Sequence, residues 1–165
     1  MTIAEICTRD VVFVGRNESA ADAARLMREH HVGSLVVLEP PQPGGRPVGM
    51  VTDRDIAVGI VAVGLDAERT PVEGIMRPGV ACIEEGEGLG RAVALMRSEG
   101  VRRLPVVQAD GALVGIVTAD DLLELFSEEM TGLAGMLSRE FRRERSERRV
   151  QAPAAGQPPA AVATP

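Results

Sequence analysis

One short phrase occurs twice in this chain, as GMVTDRDI at residues 49–56 and as GIVTADDL at residues 115–122. Four of the eight positions are identical. The similarity extends upstream, where LMREHHVGSLVVL (26–38) corresponds to LMRSEGVRRLPVV (95–107) with six identities in 13 positions. The chain therefore contains an internal repeat of roughly 50 residues, and two copies are too few for a solenoid. We expect the two copies to pack face to face as a pair.

The first copy predicts the order strand, helix, strand, strand, helix. Its first helix has apolar residues at helical spacing, and Asn17 stands where a capping side chain is expected. A Pro/Gly-rich loop at 40–47 separates the last two strands. The predicted strands are 10–14, 34–38 and 48–51.

The second copy repeats this order. Asp110-Gly111 is a strong hairpin signal between its last two strands, 104–107 and 113–117. Both copies pass from their last strand into a helix at a threonine, Thr52 or Thr118. The strands are continuous apolar runs, which predicts sheets that are covered on both faces. The predicted fold class is α/β (α+β), with two pseudo-symmetric β-α-β-β-α repeats packed sheet to sheet and a long C-terminal helix.

Beyond the second copy, a single apolar stripe follows helical spacing. Its members are separated by three or four residues: Leu122, Phe126, Met130, Leu133, Leu137 and Phe141. The stripe passes into an Arg/Glu-rich end and then into a Pro/Ala-rich tail that we expect to be disordered. The predicted limits are 3–60 for the first repeat, 61–74 for a linker, 75–125 for the second repeat, 126–149 for the C-terminal helix and 150–165 for the tail.

Composition excludes several kinds of chemistry. All 18 basic residues are arginine, so the chain has no lysine for a Walker A motif or a Schiff base. With no Trp, no Tyr and three Phe, it has no aromatic platform for single-stranded nucleic acid, and its net charge of −6 opposes general nucleic-acid binding. No apolar run is long enough to span a bilayer and the first residues do not resemble a signal peptide, so we expect a cytoplasmic protein without membrane association.

The cysteines, histidines and catalytic motifs point neither to a metal site nor to an enzyme. Cys7 and Cys82 occupy non-equivalent places in the two copies and are expected to be small buried hydrophobes. His30 and His31 end a helix, where a positive group is mildly favoured. The sequence contains no nucleophile elbow, C-x-x-C or H-E-x-x-H motif. We therefore predict a protein that is not an enzyme and requires no cofactor.

The repeated Gly-x-Val-Thr-x-x-Asp phrase supports two interpretations. A threonine at a helix start with an acidic residue three positions later is a variant capping box, which needs no ligand. The same geometry places a hydroxyl and a carboxylate at a helix N-terminus, where the carboxylate can accept hydrogen bonds from a ribose diol and phosphate is favoured nearby. In that case the glycine lets a ligand approach the backbone. Repetition within a pseudo-symmetric pair favours the site, but capping alone remains open.

The two phrases, together with VRRLPVV and the β-α-β-β-α order, resemble the cystathionine-β-synthase (CBS) domain family. Two tandem copies are similar to a Bateman module over about residues 3–125, and TDRDIAVGIVAVGLD is similar to small stand-alone bacterial CBS-pair proteins. The resemblance implies two clefts that commonly take AMP, ADP or ATP, and in some members S-adenosylmethionine or NAD. It assigns Thr52 and Asp55 to one cleft and Thr118 and Asp121 to the other, with the aspartate on the ribose hydroxyls and the threonine facing ribose or phosphate.

Arginines distinguish the two copies. Arg102 and Arg103 precede LPVV, where the first copy has Gly-Ser. Because side chains alternate along a strand, we expect at most one of the two to point at a given phosphate. Either can also be simply exposed or ion-paired. Arg54 can replace some of the positive charge in the first copy, unless its two neighbouring aspartates neutralise it.

The sequence thus predicts a non-enzymatic CBS pair that senses adenine nucleotides and signals to a separate protein partner. We expect a homodimer formed through the stripe beyond the second repeat, although that helix can also fold back on its own repeats. One alternative is an interaction scaffold whose clefts have lost ligand binding. Another is nucleic-acid association through residues 138–149, which hold six arginines and three glutamates. Such Arg/Glu alternation is more often a solvated helix end, which disfavours nucleic acid.

Overall fold

The structure is a computed structural model that describes the backbone of residues 1–151 and the side chains of residues 1–145. Its contacts divide the chain into two units, Met1–Leu123 and Glu124–Pro165. Both sheets lie in the first unit, and the described part of the second unit belongs to the last helix. Among the helices of the described residues, none combines the length and the apolar character that a membrane crossing requires.

The first sheet has four strands in the order β1-β2-β3-β4. β1 runs parallel to β2, and β3 is antiparallel to both of its neighbours. Helix α1 joins β1 to β2, and α2 follows β3 and continues as a π-helical segment, Ala57–Val61. The bounds are β1 Phe13–Gly15, α1 Ala20–Glu29, β2 Ser34–Glu39, β3 Arg46–Thr52, α2 Asp53–Ile56 and β4 Arg77–Pro78.

The second sheet has three strands in the order β5-β6-β7, with β5 parallel to β6 and β6 antiparallel to β7. Gly111 adopts a positive φ of 86° in the turn between β6 and β7, as the hairpin signal predicts. The bounds are β5 Ile83–Glu84, α3 Leu89–Glu99, β6 Arg103–Val107, β7 Leu113–Thr118 and α4 Ala119–Gln151. The predicted fold class and the predicted element order of both copies are confirmed.

Two local predictions for the first copy are wrong. The first strand covers 13–15 rather than 10–14, because only those residues pair with β2. Helix α1 is capped by Ser19 rather than Asn17. The Ser19 hydroxyl accepts the Asp22 N–H at 3.0 Å and donates to the Asp22 carboxylate at 2.6 Å. This bond to Ser19 lowers the pKa of Asp22. Asn17 stands two residues before this cap, because α1 begins only at Ala20.

Each repeat buries one face of its sheet against its own helix. The first core joins Leu35 and Val37 of β2 to α1, and the second joins Leu104 and Val106 of β6 to α3. The helix residues that complete these cores lie at the predicted apolar spacing: Ala23 and Met27 in α1, Ala92 and Met96 in α3. The other face of β2 is also buried, at Val36 and Leu38, so this strand is covered on both faces as expected.

The two repeats exchange their first segments. Ile3 precedes the first sheet in sequence, yet it lies in the core of the second repeat. Val72 lies reciprocally in the core of the first repeat. The Ile3 N–H donates to the Glu87 carbonyl at 2.8 Å, and the Val72 N–H donates to the Glu18 carbonyl at 2.8 Å. The two donor residues, Ile3 and Val72, are 69 residues apart (72 − 3), and so are the two acceptor residues, Glu18 and Glu87 (87 − 18). The exchange therefore follows the pseudo-symmetry of the repeats.

The exchanged segments also extend the sheets that they join. Arg77 in β4 pairs with Met50 of β3, and Thr8 forms the equivalent bridge with Ile116 of β7 through two hydrogen bonds of 2.9 Å. A segment that precedes each repeat in sequence therefore closes the sheet of the other repeat. The predicted domain limits follow the order of the chain and do not anticipate this exchange.

The exposed stripe beyond the second repeat begins at Phe126 rather than at Leu122 as expected. Leu122 is 3% exposed and belongs to the core of the second repeat, because α4 starts directly at the end of β7. The remaining members are exposed: Phe126, Met130, Leu133, Leu137 and Phe141. The part of the predicted tail after Gln151 lies outside the described residues.

Candidate functional site

Both copies of the repeated phrase form a capping box. Thr52 Oγ1 accepts the Asp55 N–H at 3.1 Å, and Asp55 Oδ2 accepts the Thr52 N–H at 2.9 Å and the Thr52 hydroxyl at 2.7 Å. Thr118 and Asp121 repeat the two backbone bonds at 3.2 and 2.8 Å. Capping is thus confirmed, but it uses only one carboxylate oxygen. Within the described part of the chain, Oδ1 of neither aspartate accepts a hydrogen bond from protein, so it can accept one from a ligand.

The glycine of the phrase has a different role from the predicted one. A Cβ atom at Gly49 would lie 2.7 Å from the Arg77 carbonyl oxygen and 2.8 Å from Met76 Sδ. At Gly115 it would lie 2.8 Å from Cys7 Sγ. The exchanged segments fill the space that a side chain would need, so the glycine admits the backbone of the other repeat. The prediction that it serves the approach of a ligand is wrong.

One cleft of about 540 Å³ is lined by both repeats and by the exchanged strand β4. This volume lies within the range of small-molecule sites. Five of the seven predicted site residues line the cleft: Thr52, Arg54, Asp55, Arg102 and Arg103. The other two, Thr118 and Asp121, do not line it.

Arg102 and Arg103 both border this cleft. β6 begins at Arg103, so Arg102 lies in the bend before the strand, where strand alternation does not apply. That at most one of the two points at a given phosphate stays a prediction. Arg102 is exposed and Arg103 is half-buried. The second repeat therefore contributes both arginines to the lining of a cleft whose capping box comes from the first repeat.

Arg77 is a cleft residue that sequence reasoning missed. It lies on β4, paired with Met50, and only the exchange of segments brings it beside the Thr52 box. The equivalent position in the first copy is Thr8, so no repeated motif marks the arginine. Asp53 and Glu99 also line the cleft and were not selected from the sequence.

The charges of the cleft favour an anionic ligand. Its carboxylates are Asp53, Asp55 and Glu99, and its arginines are Arg54, Arg77, Arg102 and Arg103. Among the residues with described side chains, none of these four arginines forms an ion pair. Five other arginines of the first unit do: Arg9, Arg16, Arg25, Arg69 and Arg91. Guanidinium groups without a protein partner are available for phosphate or carboxylate.

The cysteines lie outside this cleft. Both are free thiols and half-buried. Burial raises the pKa of the Cys82 thiol to about 11, so it stays protonated and unreactive near neutral pH. In the described range, no three His, Cys, Asp or Glu side chains are grouped so that they could hold a metal ion.

The sequence matches the CBS domain model at residues 3–62 and again at 72–128. The chain belongs to the CBS domain family. It carries two tandem CBS domains, as the resemblance of the repeated phrases implies.

Relatives of this CBS pair occur in both bacteria and archaea. The CBS domain-containing protein YhcV of Bacillus subtilis is 37% identical over 134 residues, which cover 81% of this chain and 91% of YhcV. Protein MK0525 of Methanopyrus kandleri is 35% identical over 125 residues, or 76% of this chain. The match spans only 62% of the length of MK0525. The expected similarity to bacterial proteins is therefore not specific to bacteria.

Solved structures share the fold of this CBS pair. The CBS domain pair of protein MJ0100, in complex with 5′-methylthioadenosine and S-adenosyl-L-methionine, superimposes with a TM-score of 0.67 at 25% identity, covering 78% of this chain and 98% of that one. A hexameric CBS-CP12 protein from bloom-forming cyanobacteria gives a TM-score of 0.64 at 28% identity, covering 88% of each chain. Structural relatives of this chain thus include one that binds adenosyl compounds and one that assembles into an oligomer.

Proposed function

We propose that this CBS pair is a non-enzymatic regulatory module that binds an adenosine nucleotide (AMP, ADP or ATP) in the cleft and signals to a separate protein partner. One observation carries the proposal. Among the side chains that the structure describes, a Thr-Asp box with a free carboxylate oxygen and four arginines without ion pairs line the same cleft. A cytoplasmic location stays a prediction.

Each part of a nucleotide has a matching group in the cleft. Asp55 Oδ1 can accept hydrogen bonds from the ribose hydroxyls, since Oδ2 is held by Thr52. The arginines can bind phosphate oxygens with two parallel N–H···O bonds each. Apolar side chains for the adenine ring also line the cleft: Met50, Val80, Ala81 and Val101.

S-adenosylmethionine is a second candidate ligand. The MJ0100 pair, which shares the fold, binds S-adenosyl-L-methionine and 5′-methylthioadenosine. Neither compound carries a phosphate. S-adenosylmethionine has a single carboxylate, which one arginine can bind, and 5′-methylthioadenosine has no anionic group, so neither matches several arginines as a nucleotide does. The arginines are therefore the reason to place the nucleotides first.

A thermal shift panel with AMP, ADP, ATP, adenosine and S-adenosylmethionine tests the proposal. A ligand present at about 100 times its Kd stabilises the folded state by roughly 2.7 kcal/mol. For a chain of this size that corresponds to a rise in Tm of about 5–10 °C. If no adenosyl compound at millimolar concentration changes the Tm, ligand binding is refuted and the scaffold alternative takes its place.

A pair of arginine variants assigns the effect to the cleft. Arg103→Gln should reduce the nucleotide-induced rise in Tm, because it removes a guanidinium group that borders the cleft. Arg97→Gln is the matched control, since Arg97 is exposed, has no ion pair among the described side chains and does not line the cleft. Equal loss in both variants would mean that the nucleotide binds by general surface charge.

A further inference from the structure

The two capping boxes differ in the charged residues at equivalent positions, above all in their arginines. The repeated phrases are offset by 66 residues, so the residue equivalent to Arg54 of the first box is Asp120 of the second (120 − 54 = 66). The exchanged segments are offset by 69 residues, so the residue equivalent to Arg77 near the first box is Thr8 near the second (77 − 8 = 69). Two arginines of the cleft are thus replaced by a carboxylate and a neutral hydroxyl. Two of its carboxylates, Asp53 and Glu99, are replaced in turn by Ala119 and His30. Asp10, which stands where the cleft has Gly79, adds a further negative charge.

The arginine nearest to Thr8 in sequence is committed elsewhere. Arg9 forms an ion pair with Glu85 at 3.2 Å and also donates to the Ala4 carbonyl at 3.2 Å. Its guanidinium therefore neutralises a carboxylate of the second repeat and holds the exchanged segment. It offers no compensation for the missing counterpart of Arg77.

Arg102 and Arg103 adjoin both boxes, so two anions would have to share them. They line the cleft of the first box. Their backbone also adjoins the second box, because the Arg102 carbonyl accepts the Ala119 N–H at 2.9 Å and Arg103 pairs with Thr118 across β6 and β7. At the first box, the equivalent backbone position is Gly33, whose carbonyl accepts the Asp53 N–H at 3.1 Å. One anion in the cleft would engage the positive charge that a second anion would need.

We propose that the chain binds one phosphate-bearing ligand, in the cleft of Thr52 and Asp55, and that Arg54 and Arg77 select phosphate there. The Thr118–Asp121 box is a helix cap that does not accept a phosphorylated ligand. This inference rests on the proposed nucleotide binding and adds its stoichiometry and its charge selectivity. Arg54 and Arg77 favour the anion, whereas the second box has Asp120 and Thr8 at the equivalent positions.

The test combines calorimetric titration with a variant that copies the second box into the first. We expect the wild-type chain to bind AMP at one site per chain and to bind adenosine more weakly. The double variant Arg54→Asp/Arg77→Thr carries the residues found at the equivalent positions of the second box. Both positions are exposed, so the variant should fold, which its thermal melt checks. Its Kd for AMP should rise by roughly tenfold or more, because each lost charged hydrogen bond weakens binding strongly.

Adenosine and a control variant separate the possible results. The Kd of adenosine should change by less than about threefold in the double variant, so that the preference for AMP is lost. Arg97→Gln should keep the wild-type preference, since Arg97 does not line the cleft. Two AMP sites per chain, or an unchanged AMP affinity in the double variant, would overturn this inference while nucleotide binding stands. If the wild-type chain binds neither AMP nor adenosine, both the inference and the proposed function fail.

Discussion

Gly49 shows how a single residue can serve packing in a position that resembles a ligand contact. Its missing side chain leaves room for the Arg77 carbonyl and for Met76 of the exchanged segment. Gly49→Ala should destabilise the fold by about 1–3 kcal/mol, because a backbone oxygen 2.7 Å from the new Cβ atom cannot move without shifting β4. Urea unfolding measures this change in the free energy of unfolding.

Gly90→Ala is the matched control for this substitution. Gly90 lies in α3 with no atom within 4 Å of its Cβ position, so alanine should stabilise the helix by up to about 1 kcal/mol. If Gly49→Ala leaves stability unchanged and instead weakens nucleotide binding, the glycine does serve the ligand and the packing explanation is wrong.

Asp55 combines a structural bond with the free oxygen that we assign to ribose. Asp55→Ala should lower stability by about 1 kcal/mol through loss of the capping box. It should also weaken AMP binding by about 1.5–3 kcal/mol, the range for a hydrogen bond to a charged group. Thermal melting and calorimetry measure the two effects on the same sample.

Ser19→Ala is the control, because Ser19 caps α1 in the same way and does not line the cleft. It should lose a similar amount of stability and keep the affinity for AMP. Should Asp55→Ala behave like Ser19→Ala, the carboxylate is only a cap and its assignment to ribose is wrong.

At the scale of elements, helix α4 presents an apolar face from Phe126 to Phe141 without a partner in the described structure. Phe126, Met130 and Leu133 are 42%, 66% and 53% exposed, and Leu137 and Phe141 continue the face. Burying each large side chain is worth roughly 1.5–3 kcal/mol, so an uncovered stripe favours association. We propose that two copies of the chain dimerise through this face.

Leu133→Glu should convert the dimer into a monomer, measured as the mass in solution by light scattering. A charge in the middle of an apolar interface loses the burial energy and gains a desolvation penalty. Thr131→Glu is the control, because Thr131 is exposed and lies off the stripe on the same helix. A monomeric wild-type chain would rule out the dimer, and a dimeric Leu133→Glu variant would place the interface elsewhere.

The elements differ in how far the sequence predicted them. Strands β2, β3, β6 and β7 and the helix starts at Thr52 and Thr118 follow from local patterns, since apolar runs, turn residues and caps act within a few residues. β1 and the Asn17 cap were misplaced. The extent of β1 depends on which residues of β2 face it, and the cap depends on a competing serine two residues later.

On the scale of the whole molecule, the exchange makes the first residues part of the second core. Ile3 is fully buried there beside Leu104 and Val117. Ile3→Ala should lower the free energy of unfolding by about 2–5 kcal/mol, although terminal residues usually tolerate change. Chemical denaturation measures the loss.

Glu5→Ala is the control for this position, since Glu5 is exposed in the same helical turn and should change stability by less than about 0.5 kcal/mol. We also expect both repeats of the wild-type chain to unfold in one transition, because each holds a segment of the other. A neutral Ile3→Ala substitution, or two separate transitions in the wild-type chain, would contradict the exchange.

The sequence by itself determined the tandem repeat, most strands and helices, and the two capping boxes. These features depend on spacing and on residues close in the chain, and such interactions keep the same form wherever the segment lies in the fold. The internal repeat also revealed the pseudo-symmetry, because equivalent residues recur at offsets of 66 and 69.

Only the tertiary structure decided which repeat each first segment joins, what Gly49 is for, and which arginines share one cleft. The repeats are similar enough that the segment at Ile3 and the segment at Val72 each have a comparable place in either core, so local pattern does not distinguish them. The choice brings Arg77 to β3 and beside the Thr52 box. Charge and packing act through distances in space, and those distances exist only after both repeats have closed around each other's segments.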